Sequence, residues 1–163
     1  MGLFNKFFSN KQEDEMQSKE ALVLEEKQDM IKGIEDLSET SVKEVMIPRI
    51  DVDFLPLGIP QEELMEKIAA SGHSRFPVYS ESIDNVVGVL YVKDLINAFS
   101  KKDSIDLEKI IRKPFYVPES KRIDSLLREF KKRHVHIAIA IDEYGGISGI
   151  VCMEDIIEQI VGD

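Results

Sequence analysis

Two aspartates occupy equivalent places in a pattern that the chain carries twice. Asp94 lies in Gly88-Val89-Leu90-Tyr91-Val92-Lys93-Asp94-Leu95-Ile96, and Asp155 in Gly149-Ile150-Val151-Cys152-Met153-Glu154-Asp155-Ile156-Ile157, sixty-one residues further on. In each copy an apolar run hands over to a helix-forming run, so the carboxylate falls in a first helical turn whose free backbone N–H groups favour anions. Two chemistries fit such a residue. As structure, it complements the helix dipole and contributes about 0.3–1 kcal/mol. As function, it accepts hydrogen bonds from the hydroxyls of a ribose beside a phosphate-friendly cleft, as acidic residues do in other nucleotide sites. Recurrence at one offset favours function.

Other reactive side chains are less organised. His73, His134, His136 and Cys152 match no metal-binding spacing, and most fall on or beside buried strands, so core or cleft roles are expected and no metal. No pair of acids has a spacing suited to acid-base catalysis and no nucleophile stands near a base, so no enzyme is expected. The net charge of −10 disfavours binding to a phosphate backbone, and no DNA partner is expected. Arg128, Lys131, Lys132 and Arg133 read as a solvated helix face, an RNA-binding face being the alternative. The single cysteine excludes an internal disulfide and fits a reducing compartment.

The elements that would position the aspartates repeat in order. Arg75-Phe76-Pro77-Val78 falls on His136-Ile137-Ala138-Ile139 in the same sixty-one-residue register. In the first copy the patterns predict a strand over Val52–Leu55, a helix over 61–70, strands over 76–79 and 86–92, and a helix over 94–99. The second copy predicts strands at 115–117, 137–141 and 147–152 and helices over 121–133 and 154–161, with Asp142-Glu143-Tyr144-Gly145-Gly146 as a turn. The fold class is therefore α+β: two βαββα repeats related by pseudo-two-fold symmetry, over 41–100 and 107–163, with a cleft between them and a polar joint over 101–106.

Upstream, residues 1–20 read as a flexible N-terminal segment with a polar linker over 9–20, and 21–40 as an amphipathic helix in which Gly33 is a weak point. Ser41-Val42-Lys43-Glu44 is a capping box that starts a short helix ending before Pro48. No secretory signal and no spanning segment are present. Leu3, Phe4, Phe7 and Phe8 would share one helical face, which leaves a frayed terminus and a membrane-surface or partner contact both open.

The two copies resemble a tandem pair of CBS domains, the regulatory module named after cystathionine β-synthase. They are most similar to the CorC/HlyC/TlyC family of magnesium and cobalt efflux proteins and hemolysin-like proteins. The resemblance rests on Val45-Met46-Ile47-Pro48-Arg49, Gly72-His73-Ser74-Arg75-Phe76-Pro77-Val78, Val117-Pro118-Glu119-Ser120-Lys121-Arg122, Ile141-Asp142-Glu143-Tyr144-Gly145-Gly146 and Met153-Glu154-Asp155-Ile156-Ile157-Glu158, and it covers about 42 to 163.

It implies a sensor of AMP, ADP or ATP, with Mg²⁺ as counter-ion to the phosphates. Asp155 would hold a ribose with the base near Met46, Ile47 and Val52; Asp94 would serve a second cleft with its base near Phe115, Val117 and Pro118. Arg75 and His136 occupy matching positions on the strands that approach the phosphates, a surface ion pair being the alternative for Arg75. Tyr91 and Cys152 stand where such repeats often place Thr or Ser. Tyr91 would stack on a base or occlude its cleft, which makes the Asp155 cleft the more open. The resemblance further implies a homodimer through the CBS helices, a membrane transporter or an additional C-terminal domain as partner, and a cytoplasmic location, peripheral to the inner face of the plasma membrane being a variant. Family members carry that C-terminal domain and often a preceding membrane domain, so a truncated chain is expected. The rival reading is a dimerisation domain of a hemolysin-like protein that binds no ligand.

Overall fold

The computed structural model describes residues 2–101 and 104–162. Met1, Asp163, and Lys102 and Asp103 in the expected joint lie outside the described residues. The chain opens with helix α1 (Gly2–Asp36), a short helix α2 (Val42–Val45) and a two-residue strand β1 (Ile47–Pro48), followed by a 3-10 turn at Arg49–Asp51. The first repeat is β2 (Leu55–Pro56), α3 (Gln61–Ser71), β3 (Arg75–Tyr79), β4 (Val86–Tyr91) and α4 (Val92–Ser100). After helix α5 (Leu107–Ile110) comes the second: β5 (Tyr116–Pro118), α6 (Ile123–Arg133), β6 (Ile137–Ile141), β7 (Ile147–Cys152) and α7 (Met153–Val161). The βαββα order expected of both copies is present.

Each repeat builds one sheet from a parallel pair followed by an antiparallel hairpin: β2 beside β3 beside β4, and β5 beside β6 beside β7. The repeats then trade edges. Strand β1 pairs antiparallel with β7, Ile47 opposite Ile150 and Pro48 opposite Gly149, although it precedes the first repeat in sequence. Reciprocally, Arg112, which precedes β5, bridges to Val89 of β4. Val89 and Ile150 are sixty-one residues apart, so Arg112 takes the place in its half that Ile47 takes in the other.

Three buried clusters follow from the alternation of apolar residues. One fills the first repeat around Leu55, Leu64, Phe76, Leu90 and Leu95. Another fills the second around Ile123, Leu126, Phe130, Ala138 and Ile156, and takes in Leu37 and Val42 from upstream. A third lies between the sheets and joins Val86, Val89 and Tyr91 to Ile137, Ile139, Ile147 and Ile150. With each such side chain worth about 1.5–3 kcal/mol when buried, the inter-sheet layer binds the halves into one body. Polar ties add to it: Tyr116 Oη donates to the Val86 carbonyl, and Asp84 accepts from Arg49 Nη1 at 2.6 Å and from the Ile147 N–H at 3.1 Å.

Three expectations need correction. Residues 9–20 are helical and not a linker, because they contain neither Gly nor Pro and are rich in Glu, Gln, Lys and Met, which favour helix while looking loop-like by polarity. The first strand does not run over Val52–Leu55; the 3-10 turn delays it to Leu55, leaving Val52 facing the space between the repeats. Gly33, expected to weaken its helix, is where α1 meets α7. A Cβ there would lie 2.9 Å from the Gln159 carbonyl oxygen and the Ile160 Cα. The capping box is present, with the Ser41 N–H donating to Glu44 Oε2 at 2.6 Å.

Candidate functional site

The trade of edges leaves two repeat-related places between the halves, and they differ. The first is a cavity of about 410 Å³ lined by residues of both halves, among them Ile47, Val52, Arg75, Ile150, Cys152 and Asp155. That volume lies in the range of small-molecule sites, roughly 300–1,000 Å³. Ile47 and Ile150 face each other across β1 and β7 and, with Val52, supply an apolar wall. At the other side, Asp155 sits in the first turn of α7, where its Oδ2 accepts the Cys152 N–H at 2.8 Å. Burial pushes its carboxyl above the usual range; the Cys152 N–H opposes that shift and the neighbouring Glu154 charge adds to it. The carboxylate thus caps its helix and also lies on the lining of the cavity.

Arg75, on β3, reaches the same cavity. Its Nη1 donates to Glu154 Oε1 at 3.1 Å, while its Nε is buried with no hydrogen-bond partner. His73 Nε2 lies 3.1 Å from Asp53 Oδ2, and Asp51 completes the rim. Four carboxylates therefore face one guanidinium and one imidazole. Burial first, and then the Asp155 and Glu154 charges, push the Cys152 thiol up to about 12.

At the place related to this cavity by the repeat, an ion pair stands at the surface, Arg112 45% and Asp94 22% exposed in side chain. Arg112 donates to Asp94 through Nε at 2.8 Å and Nη2 at 3.0 Å, and its guanidinium lies over the Tyr91 ring, 4.1 Å from the centroid. Tyr91 is buried, 5% exposed, and Arg75 approaches its ring too. The Arg112 hydrogen bonds hold the Asp94 carboxyl below its usual range. Position for position, Arg112 stands where Ile47 walls the open cavity.

Of the residues anticipated from sequence, Ile47, Val52, Arg75, Cys152 and Asp155 converge on one cavity, and the others do not join them. Met46 turns into the second repeat's core, with its sulfur 3.0 Å from where a Gly149 Cβ would be. Asp94 is paired and Tyr91 buried. Val117 is core at 2% exposure, Phe115 packs between Phe130 and the Arg133 guanidinium, and Pro118 is an exposed β5 residue beside Ile141. His136 has an exposed side chain and offers its carbonyl to the Met153 N–H. Asp51, Asp53 and Ser74 line the cavity without having been anticipated, and His73, for which a core or cleft role was expected, lines it too; the Gly72-His73-Ser74-Arg75 motif already contained two of the four. No cluster of potential metal ligands occurs among the described residues.

The lowered carboxyls have a consequence for acid stability. Asp94 and Asp84 both lie below the ordinary value of 3.8 when folded, so each contributes stability that is complete above that value and is lost as pH falls through the folded one. Asp155 has the opposite sign. Melting curves between pH 7 and pH 2.5 are expected to show wild type losing stability below about pH 4, and the gap between it and Asp94→Asn closing over that window. A gap that is constant with pH would contradict the Arg112 pairing.

The sequence matches the family described as CBS domain over residues 42–101 and again over 106–162. Hemolysin C of Brachyspira hyodysenteriae is 45% identical over 139 residues, covering 85% of this chain and 51% of that protein. The magnesium and cobalt efflux protein CorC of Escherichia coli K12 is 42% identical over 143 residues, covering 87% and 49%. The chain thus spans about half the length of these relatives. A solved structure of the CBS domain of the bacterial CNNM/CorC family Mg²⁺ transporter in complex with ATP superposes with a TM-score of 0.79 at 40% identity, covering 84% of this chain and 98% of that one.

Proposed function

The chain belongs to the CBS domain family, as a tandem pair of the CorC and hemolysin C kind, and from that premise we propose that it is a non-enzymatic regulatory module that binds one adenine nucleotide, in the Asp155 cleft. The observation that carries this reading is the difference between the two repeat-related places: one is a cavity with an apolar wall opposite a helix-capping carboxylate, while the other holds the Arg112–Asp94 pair. In the open cleft the base lies against Ile47, Val52 and Ile150, the ribose hydroxyls donate to Asp155, and the phosphates run toward Arg75 and Ser74. That an ATP complex is known for a relative's CBS domain supports the choice of ligand.

The electrostatics then select among nucleotides. A triphosphate entering a cleft with four carboxylates must draw Arg75 from Glu154 and still meets excess negative charge, so ATP binds with Mg²⁺ on its phosphates. AMP, with fewer charges, depends far less on the cation. Isothermal titration with AMP, ADP and ATP, each with Mg²⁺ and with chelator, is expected to show one site per chain, and an ATP affinity that chelation lowers on the order of tenfold or more, as ~1.4 kcal/mol of unrelieved repulsion gives. No heat and no thermal shift with any of them at millimolar concentration would overturn the proposal in favour of a purely structural dimerisation domain.

Nucleotide binding changes the module only through its preference for one arrangement of the halves over another. The receiving surface is the exposed apolar face of Ile96 and Phe99 on α4 and Ile157 and Val161 on α7, with Ile96 and Ile157 at equivalent positions of the two repeats, and it is suited to a homodimer. Service to a magnesium and cobalt transporter, and a location on the cytoplasmic side of the membrane, complete the reading.

A further inference from the structure

The first three turns of α1 differ in chemistry from everything that follows. Leu3, Phe4, Phe7 and Phe8 are 90%, 74%, 69% and 54% exposed and stand at helical spacing on one face. The rings gather into a patch, Phe4 to Phe8 at 5.5 Å and Phe7 to Phe8 at 6.4 Å between centroids. Residues 2–12 hold two cations, Lys6 and Lys11, and no carboxylate, in a chain whose net charge is −10. Lys11 lies one turn beyond Phe7 on the same face, where its stem extends the apolar surface and its ammonium leaves it. Neither lysine is in an ion pair among the described residues. Glu13-Asp14-Glu15 then ends the cationic stretch abruptly.

A second helix is a poor occupant for this patch. Continued along the helix, the same face meets Lys11, Asp14, Glu15 and Ser18, so a parallel partner would find apolar contact for only about two turns, short of the three or four heptads a coiled coil needs. A symmetric copy would also set Lys against Lys. The later apolar residues Met16, Val23 and Met30 lie on a different face, which leads to Leu37 and the packing on the second repeat. A lipid surface asks for what is present: a few exposed aromatic and aliphatic side chains to enter the acyl boundary, and cations at headgroup level.

We propose that residues 2–12 of α1 are a docking surface for an anionic bilayer, lying in the interface with Phe4, Phe7 and Phe8 inserted and Lys6 and Lys11 among the headgroups, while Glu13 to Glu15 limit the depth of contact. The test is sedimentation of the full chain with vesicles of phosphatidylcholine alone and of phosphatidylcholine with a quarter phosphatidylglycerol. The protein is expected to pellet with the anionic vesicles and to be released as salt rises from 0.1 to 0.5 M. Phe4→Ser/Phe7→Ser and Lys6→Glu/Lys11→Glu should each weaken partitioning about tenfold or more, with melting of the CBS pair unchanged. A wild type that stays in the supernatant with both vesicles overturns the proposal. So does a Phe4→Ser/Phe7→Ser variant that pellets as well as wild type. Light scattering that shows wild-type multimers dissolved by the same substitutions, without vesicle binding, assigns the patch to self-association and overturns it too.

Discussion

Asp155→Ala is expected to abolish most of the nucleotide-induced rise in melting temperature while leaving the empty protein close to its wild-type stability. Hydrogen bonds to a charged acceptor are worth about 1.5–3 kcal/mol, so loss of the ribose contact weakens binding roughly 10- to 150-fold. At a nucleotide concentration 100 times the wild-type dissociation constant, wild type gains about 2.7 kcal/mol; a variant weakened a hundredfold gains about 0.4. For a domain of this size those figures correspond to roughly 5–11 °C against about 1–2 °C. Two opposing effects keep the unliganded stability near its starting point: the Cys152 N–H loses its cap, and a partly buried carboxylate is removed. The control is Asp94→Ala, which frees Arg112 and lowers stability but leaves the nucleotide response intact, because Asp94 belongs to the Arg112 pair. Retention of the full shift in Asp155→Ala, or its loss in Asp94→Ala, would reverse the assignment of the clefts.

Gly149→Ala should produce the largest loss of stability from a single methyl group. A Cβ at that position overlaps the Ile47 carbonyl oxygen and comes within 3.0 Å of the Met46 sulfur. The oxygen belongs to backbone held in the β1–β7 pairing, so it yields only if that pairing gives way. Overpacking of this kind costs about 3 kcal/mol, a fall of roughly 6–12 °C for a domain of this size, and the reduced freedom of the unfolded chain returns less than about 1 kcal/mol. At the equivalent Gly88 the obstruction is the Ile111 side chain, nearest at its Cδ1, 2.6 Å away, which can rotate. Gly88→Ala should therefore be markedly milder. Calorimetry on the two variants decides; equal losses would mean that the exchanged strand is not held as described.

The repeat, and with it the strands at 137–141 and 147–152, was legible because β-branched residues, glycines and charged helix starts recur with one offset. Arg75, Cys152 and Asp155 stood out for the same reason, whereas Ile47 and Val52 were expected beside Asp155 only through the resemblance to CBS pairs; all five line one cavity. The inequality of the clefts was legible only in part: the bulk of Tyr91 pointed to the Asp155 cleft as the more open, but the Arg112–Asp94 pair was not foreseen. Arg112 answers Ile47 at an offset of sixty-five, because the 3-10 turn at Arg49–Asp51 lengthens the first copy, so an ungapped comparison never sets the two side by side. Its partner Asp94 lies eighteen residues back, beyond any helical or strand period. Polarity misled at 9–20 because solvated helices and linkers share a composition, and Gly33 misled because its close contact is made to a helix more than a hundred residues away.

The traded edges also bear on how the molecule comes apart. Helix α2 and strand β1 complete the second sheet and its core from a position ahead of the first repeat, and Arg112 completes the first from a position ahead of the second. A single nick between α4 and α5 would thus yield two fragments that remain clasped, each holding an edge of the other, and that reassemble when mixed. The halves are joined by an exchange of short edge segments, and separating them requires breaking both contacts.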